Sequence, residues 1–214
     1  MTAALVVLAK TPAPGRVKTR LCPPLDPTEA AMLAAAALAD TLDAVAATAC
    51  SRRVLALDGE PGSWIPPGFD VIAQREGGLG ARLAGVFDAI GGPAVVVGMD
   101  TPQLEPEMLA SVLASLDQID TDAVLGPACD GGYWAIGMHQ PDPRVFSDVP
   151  MSTRTTGARQ LARLEQLGYR VAHLPMLHDV DTFDDATAVA RLAPHSRFAT
   201  TFRSLLGSRQ LVAR

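Results

Sequence analysis

Residues 3–21 read AALVVLAKTPAPGRVKTRL. Ala3–Leu8 is an unbroken apolar run of buried-strand length. Pro12, Pro14, Gly15 and Pro23 then exclude regular structure between Lys10 and Pro24. The rest of the chain continues this strand-then-break reading. A helix is expected from Thr28 to about Thr48, behind the stop signal of Pro27. Strands are expected at Arg53–Leu57, Val71–Ala73 and Pro93–Met99. Leu79–Ile90 has helical spacing. Leu104–Leu116 reads as a helix with Pro106 tolerated in its first turn. Ala123–Leu125 and Tyr133–Ile136 read as two strands around Gly131-Gly132, the place for an antiparallel piece. Thr155–Leu167 is expected to be a helix ended by Gly168. Arg170–His173 is a strand and Phe183–Leu192 a helix capped by Thr182. Strands alternating with helices predict an α/β domain with a mixed, mostly parallel sheet flanked by helices.

Composition narrows the class. At roughly 150 residues per domain, 214 residues make one large domain. A chain that is 48% hydrophobic and 19% charged is neither disordered nor fibrous. Eighteen Lys and Arg against 23 Asp and Glu leave a net charge of −5, which argues against nucleic acid as partner. Residues 191–214 hold five arginines and no acid, so the body before them sets thirteen cations against 23 acids. The expected division is one folded domain over 1–194 and a basic C-terminal tail or helix over 195–214. Cys22, Cys50 and Cys129 lack metal-ligand spacing and suit a reduced, cytoplasmic setting. The start, MTAALVVLAK, lacks a basic n-region, and no apolar run is expected to reach the roughly 18 residues of a membrane span.

Six segments carry chemistry. The loop after the first strand presents Lys10, Arg16, Lys18 and Arg20 around Gly15. In an open α/β sheet, ligands sit beyond the carboxyl ends of the strands, where such a loop suits a diphosphate. It is not a Walker loop. Asp100 follows the buried run VVVGM and faces the same crevice. A carboxylate beside bound phosphate calls for a divalent cation, Mg or Mn, between them. Asp179 and Asp181, in HDVDTFDD, share one face of an extended segment, and Asp181 is the expected second metal carboxylate. Asp184 and Asp185 favour the first turn of the last helix. Gln74, Gly77, Gly78, Gly80 and Arg82 join a strand to a helix whose first amides suit an anion or a base edge. Asp130, Gly131, Gly132, Tyr133 and Trp134 suit a sugar or acceptor platform, with Asp130 as a base. Arg154 lies in the hydroxyl-rich run MSTRTTG. Each segment has a plainer reading too: a basic surface loop, Asp100 as a helix cap, a tight strand-to-helix turn, and a hairpin with two core aromatics.

Together AKTPAPGRVKTRL, GGLGARL, VVVGMDTPQL, LGPACDGGYWAIG and DVDTFDDA, in that order, resemble a bacterial group of GT-A-like glycosyltransferases, also called radical-SAM/selenodomain-associated transferases. The resemblance runs from about residue 4 to 192. It implies a single GT-A domain, the Rossmann-like fold of nucleotide-diphospho-sugar transferases. More distantly the chain is similar to small nucleotidyltransferases, among them the guanylyltransferases of deazaflavin and molybdenum cofactor biosynthesis. By these resemblances Lys18 and Arg20 contact phosphates, Gln74 through Gly80 face the base, and Asp100 and Asp181 bind the metal. Asp100-Thr-Pro is not a full D-x-D motif.

Three functions follow as expectations. The first is glycosyl transfer from a nucleotide-sugar to a small-molecule or lipid acceptor, with Asp100 and Asp130 as the catalytic carboxylates. The second is nucleotidyl transfer from an NTP to a small acidic acceptor, and the third is nucleotide binding without catalysis. A homo-oligomer is left open.

Overall fold

The computed structural model describes residues 3–212. Its strands are β1 Ala4–Lys10, β2 Arg53–Asp58, β3 Asp70–Ala73, β4 Ala94–Gly98, β5 Ala123–Pro127, β6 Tyr133–Met138 and β7 Val171–His173. The helices are α1 Pro27–Ala47, α2 Leu79–Ile90, α3 Pro106–Leu116, α4 Thr156–Gln166, α5 Phe183–Leu192 and α6 Arg197–Val212. The strands form one sheet in the order β3-β2-β1-β4-β6-β5-β7. Only β6 runs against its neighbours; β4 and β5 both pair with it antiparallel, and the other pairings are parallel. The expected α/β fold with a mixed, mostly parallel sheet is the one observed.

The unbroken apolar runs follow from burial on both faces, the rule for parallel strands under helices. Successive side chains of a strand point to opposite faces. Leu5, Val7, Leu55, Val95 and Val97 meet Leu38 and Leu42 of α1 and Leu109 and Val112 of α3. Val6, Val54, Ala56 and Val96 meet Leu83, Val86 and Phe87 of α2 and Leu164 of α4. Each fully buried aliphatic side chain contributes about 1.5–3 kcal/mol. The opposite side of α1 covers a third cluster, with Leu33, Ala37, Val189, Phe198 and Phe202. α1 is long and apolar enough to cross a membrane, contrary to the sequence expectation. Here that apolarity is used inside the fold, because the helix is packed on both sides. α6 is moored to α1: Asp40 accepts hydrogen bonds from the amides of Arg197 and Phe198, both at 2.9 Å.

Local chemistry sets the helix starts. Asp26 accepts from the amides of Thr28 and Glu29, and Glu29 accepts from Asp26 N–H, a capping box that puts Pro27 inside α1. α3 begins at Pro106 rather than at the expected Leu104. The reason is steric: the proline ring bars Glu105 from helical angles and leaves it extended. Thr182 caps α5 as expected, with Asp185 closing the box.

Candidate active site at the carboxyl edge

Because β6 alone is reversed, the ends of the other strands and the start of β6 share one edge of the sheet. The cationic loop, Asp58, Gln74, Asp100, the Asp130 turn and the His178–Asp181 segment all lie there.

The half at the ends of β1, β2 and β3 is cationic. Lys10 and Asp58 are register partners at the strand ends. Arg82, in the first turn of α2, reaches back with its guanidinium 2.5 Å from Asp58 Oδ2 and 3.2 Å from Gln74 Oε1. Its Nε donates to Gly77 O at 3.0 Å. Gln74 Nε2 donates to Ala9 O at 2.7 Å and Ala56 O at 2.8 Å, so its amide ties β1 to β2. The hydrogen bond from Arg82 pulls the Asp58 carboxyl below its ordinary range; Lys10 and Arg16 pull the same way against some desolvation. Gly15 turns the loop at φ +74°, and Gly77 turns into α2 at φ +114°. Gly78 is the N-cap residue of α2, so no side chain stands over the first amides of that helix. Gly80 packs against Met151 and the Phe146 carbonyl, where an added Cβ would sit at 3.3 Å. Lys10, Arg16 and Arg82 act on Asp58 together, and these four groups sum to +2.

The other half is acidic. Asp130, Asp179 and Asp181 each offer a carboxylate oxygen within 4.8 Å of the others. Asp130 Oδ1 accepts the Gly132 amide at 2.6 Å, which folds the turn. Burial first, then the Asp130 and Asp181 charges, push Asp179 up to about 6, with Lys18 opposing. Asp100 stands apart from this trio. Its Oδ1 lies 2.7 Å from Lys18 Nζ, which also reaches Asp181 Oδ1 at 3.4 Å and bonds the Val180 carbonyl. Arg20 NH1 lies 3.0 Å from Asp181 Oδ2. The two cations expected on phosphate are therefore on carboxylates instead. The two expected metal carboxylates, Asp100 and Asp181, face each other across an ammonium.

Glycine sets the position of Asp130. Gly157 N–H donates to Gly131 O at 2.8 Å, bringing the Arg154–Gly157 backbone against the turn. A Cβ on Gly131, whose φ is +90°, would sit 2.0 Å from the Arg154 carbonyl oxygen. Arg154 contributes this backbone contact, and its side chain is exposed.

The two aromatics expected to form an acceptor platform lie elsewhere. Strand alternation sends them to opposite faces of β6. Trp134 is 3% exposed, packs against Gly126 and donates Nε1–H to Pro175 O at 3.0 Å. Tyr133 bonds Gln160 Oε1 at 3.3 Å, and burial raises its phenol well above the ordinary range.

Sequence reading missed two groups. Asp58 follows a buried strand just as Asp100 does, and that position was the available signal. The other is His178, whose Nε2 lies 2.9 Å from Asp185 Oδ1.

The residues present fit a divalent cation. An all-oxygen set of three converging carboxylates matches what Mg and Mn prefer.

The strand order, the reversed β6 and the two-part carboxyl edge define the class: this is the transferase fold of nucleotide-diphospho-sugar enzymes. The chain belongs to the family described as uncharacterized protein conserved in bacteria (DUF2064), whose profile matches residues 33–153. It is similar to a candidate nucleotide-diphospho-sugar transferase from Desulfovibrio desulfuricans G20, at 26% identity and a TM-score of 0.84 over 95% of each chain. Rv0371c from Mycobacterium tuberculosis H37Rv, solved with manganese, shares the fold at 20% identity and a TM-score of 0.51, covering 89% of this chain and 98% of that one. So does a CMP:2-keto-3-deoxy-manno-octonic acid synthetase in complex with CTP, at 14% identity and a TM-score of 0.55, covering 91% and 99%. The family and fold expected from the motifs are thus the ones found. A comparison with curated proteins finds no match.

Proposed function

We propose that the chain transfers a glycosyl group from a nucleoside diphosphate-sugar to a small-molecule or lipid acceptor, with Mg or Mn bound. One observation carries this reading: the two halves of the carboxyl edge have opposite charge, +2 at Lys10, Arg16, Arg82 and Asp58, and an acidic trio beside them. A diphosphate needs cations on one flank and, on the other, carboxylates that hold an ion for it.

Lys10, Arg16 and Arg82 bind the phosphates, and the Gln74–Gly80 backbone faces the base. Asp130, Asp179 and Asp181 hold the divalent ion, which when bound neutralises charge on the departing nucleoside diphosphate. The acceptor oxygen forms a bond to the anomeric carbon as the carbon–oxygen bond to the diphosphate breaks. Asp130, the exposed member of the trio, takes the acceptor proton. The three cysteines are free thiols, in keeping with work in a reducing cytoplasm.

The same fold also serves nucleotidyl transfer, so the test separates the two. The protein is incubated with UDP-, GDP- and CDP-sugars and with NTPs, with and without Mn²⁺, alongside extracts containing acceptors. Metal-dependent release of nucleoside diphosphate from one donor is expected. Release of pyrophosphate from an NTP, or no nucleotide-dependent thermal stabilisation, overturns the reading. Saturation at 100 times Kd adds about 2.7 kcal/mol, enough to read in a melt.

A further inference from the structure

We propose that Lys18 is the resident cation of the Asp100–Asp181 pair. In this role it excludes the divalent ion from Asp100 and confines it to the Asp130–Asp179–Asp181 corner. The inference deepens the metal part of the functional reading and rests on it.

Geometry is the first support. An ammonium has three N–H donors. Lys18 Nζ donates to Asp181 Oδ1 at 3.4 Å and to the Val180 carbonyl, and lies 2.7 Å from Asp100 Oδ1 as an ion pair. The side chain is 8% exposed, so this is a built position rather than a surface encounter. The backbone is fitted to the purpose. Lys18 sits in the left-handed region at φ 50°, uncommon for a residue with a side chain, and its carbonyl accepts Leu21 N–H at 3.0 Å. Val180 N–H donates to Asp100 O at 3.0 Å, so the two carboxylate-bearing segments are also stitched through their backbones. The ammonium fills the gap that a bridging ion would need.

Charge is the second support. Lys18 and Arg20 offset two of the four carboxylates Asp100, Asp130, Asp179 and Asp181, and Asp185 stands behind Asp181 paired with His178, so the corner keeps the negative charge that a divalent ion offsets. Both oxygens of Asp181 already meet a cation, Oδ1 with Lys18 and Oδ2 with Arg20. Asp179 and Asp130 therefore carry the ion; Asp181, whose cations are a lysine at the longer 3.4 Å and a largely exposed arginine, shares it, and Asp100, held at 2.7 Å, serves Lys18. Lys18 is in this sense a positioning residue.

The test is Mn²⁺ binding to the full chain without substrate, read by the electron paramagnetic resonance signal of free Mn²⁺. In the native background, Asp100→Asn is expected to change the Mn²⁺ Kd less than threefold. Lys18→Met opens the gap, so Mn²⁺ is expected to bind more tightly or as a second ion. In that background Asp100→Asn should now weaken binding at least tenfold. A tenfold loss from Asp100→Asn alone, or equal Asp100 sensitivity in both backgrounds, overturns the proposal. If Lys18→Met does not fold, as circular dichroism reports, the native-background Asp100→Asn result decides alone. Absence of Mn²⁺ binding to the unmodified protein would defeat the metal reading. The proposal would then be decided by whether Lys18→Met creates a site that Asp100→Asn removes.

Discussion

Arg82 of α2 reaches the end of β2, where its guanidinium lies 2.5 Å from the Asp58 carboxylate. This pair fixes the cation at the start of α2, since Gly77 and Gln74 hold the same guanidinium from the side. A charge-assisted hydrogen bond is worth about 1.5–3 kcal/mol. Arg82→Ala is therefore expected to weaken nucleoside diphosphate binding by roughly ten- to a hundredfold. Asp58→Asn removes the anion that pairs with Arg82 and should leave affinity equal or several-fold tighter. Calorimetric titration measures both. Weaker binding in Asp58→Asn by more than tenfold would show that aiming Arg82 matters more than the added charge.

Asp179 should show the opposite signs of effect on stability and on binding. Its carboxylate is half-buried beside Asp130 and Asp181, so its charge is unwelcome while no cation balances it. Asp179→Asn is expected to raise the melting temperature of metal-free protein at pH 7 by a few degrees and to weaken Mn²⁺ binding at least tenfold. Melts in EDTA and in Mn²⁺ give both numbers. A melting temperature that falls in EDTA would mean the carboxylate is structurally needed.

The fold was legible because the central strands are unbroken apolar runs and helices such as α1 and α5 carry their own start signals. Thr182 and Gly168 stand where their residue types predict. What could not be read is who partners whom. Lys18 and Asp181 are 163 positions apart, and nothing local says that a lysine of the first loop will end between two aspartates of two later segments. Counting four cations in one loop suggested phosphate for all of them; two of the four pair with aspartates of the chain itself, Lys18 buried and Arg20 at the surface. Trp134 failed for a related reason. An aromatic beside a glycine turn looks like a platform until strand alternation places it in the core. Asp58 was hidden by its ordinary neighbours, a turn-rich loop with no motif.

Trp134 gives a clean separation of core from site. Trp134→Ala should cost about 3–5 kcal/mol through the cavity it leaves, enough to abolish folding at ordinary temperature. Trp134→Phe keeps most of the ring volume and loses the Nε1–H bond to the Pro175 carbonyl. That change is expected to cost about 1 kcal/mol or more of stability while leaving the nucleotide Kd unchanged. Urea unfolding and calorimetry report the two quantities. A changed Kd with unchanged stability would return the indole to the ligand's surroundings.

The last prediction concerns the edge strand that leads into the acidic corner. β7 is three residues long, and Arg170 just before it donates to Asp122 from its amide at 2.9 Å, from Nε at 2.8 Å and from a terminal nitrogen at 2.9 Å. The Arg170 side-chain hydrogen bond, followed by its amide, lowers the Asp122 carboxyl from 3.8 to about 2. A carboxyl more acidic in the folded state gives stability that is fully present above its unfolded value near 3.8 and is lost as pH falls through about 2. Asp122→Asn should therefore lower the melting temperature at pH 7, and its difference from the unmodified protein should shrink below pH 4 and vanish near pH 2. The pair is partly exposed, so solvent screening keeps the effect modest, a few degrees at most. A difference that stays constant from pH 7 to pH 2 would show that Asp122 acts through shape rather than charge. The sign at the acidic corner follows from chain order: β7 hands on directly to residues 174–181, so loosening it should also weaken Mn²⁺ binding at Asp179 and Asp181 at pH 7.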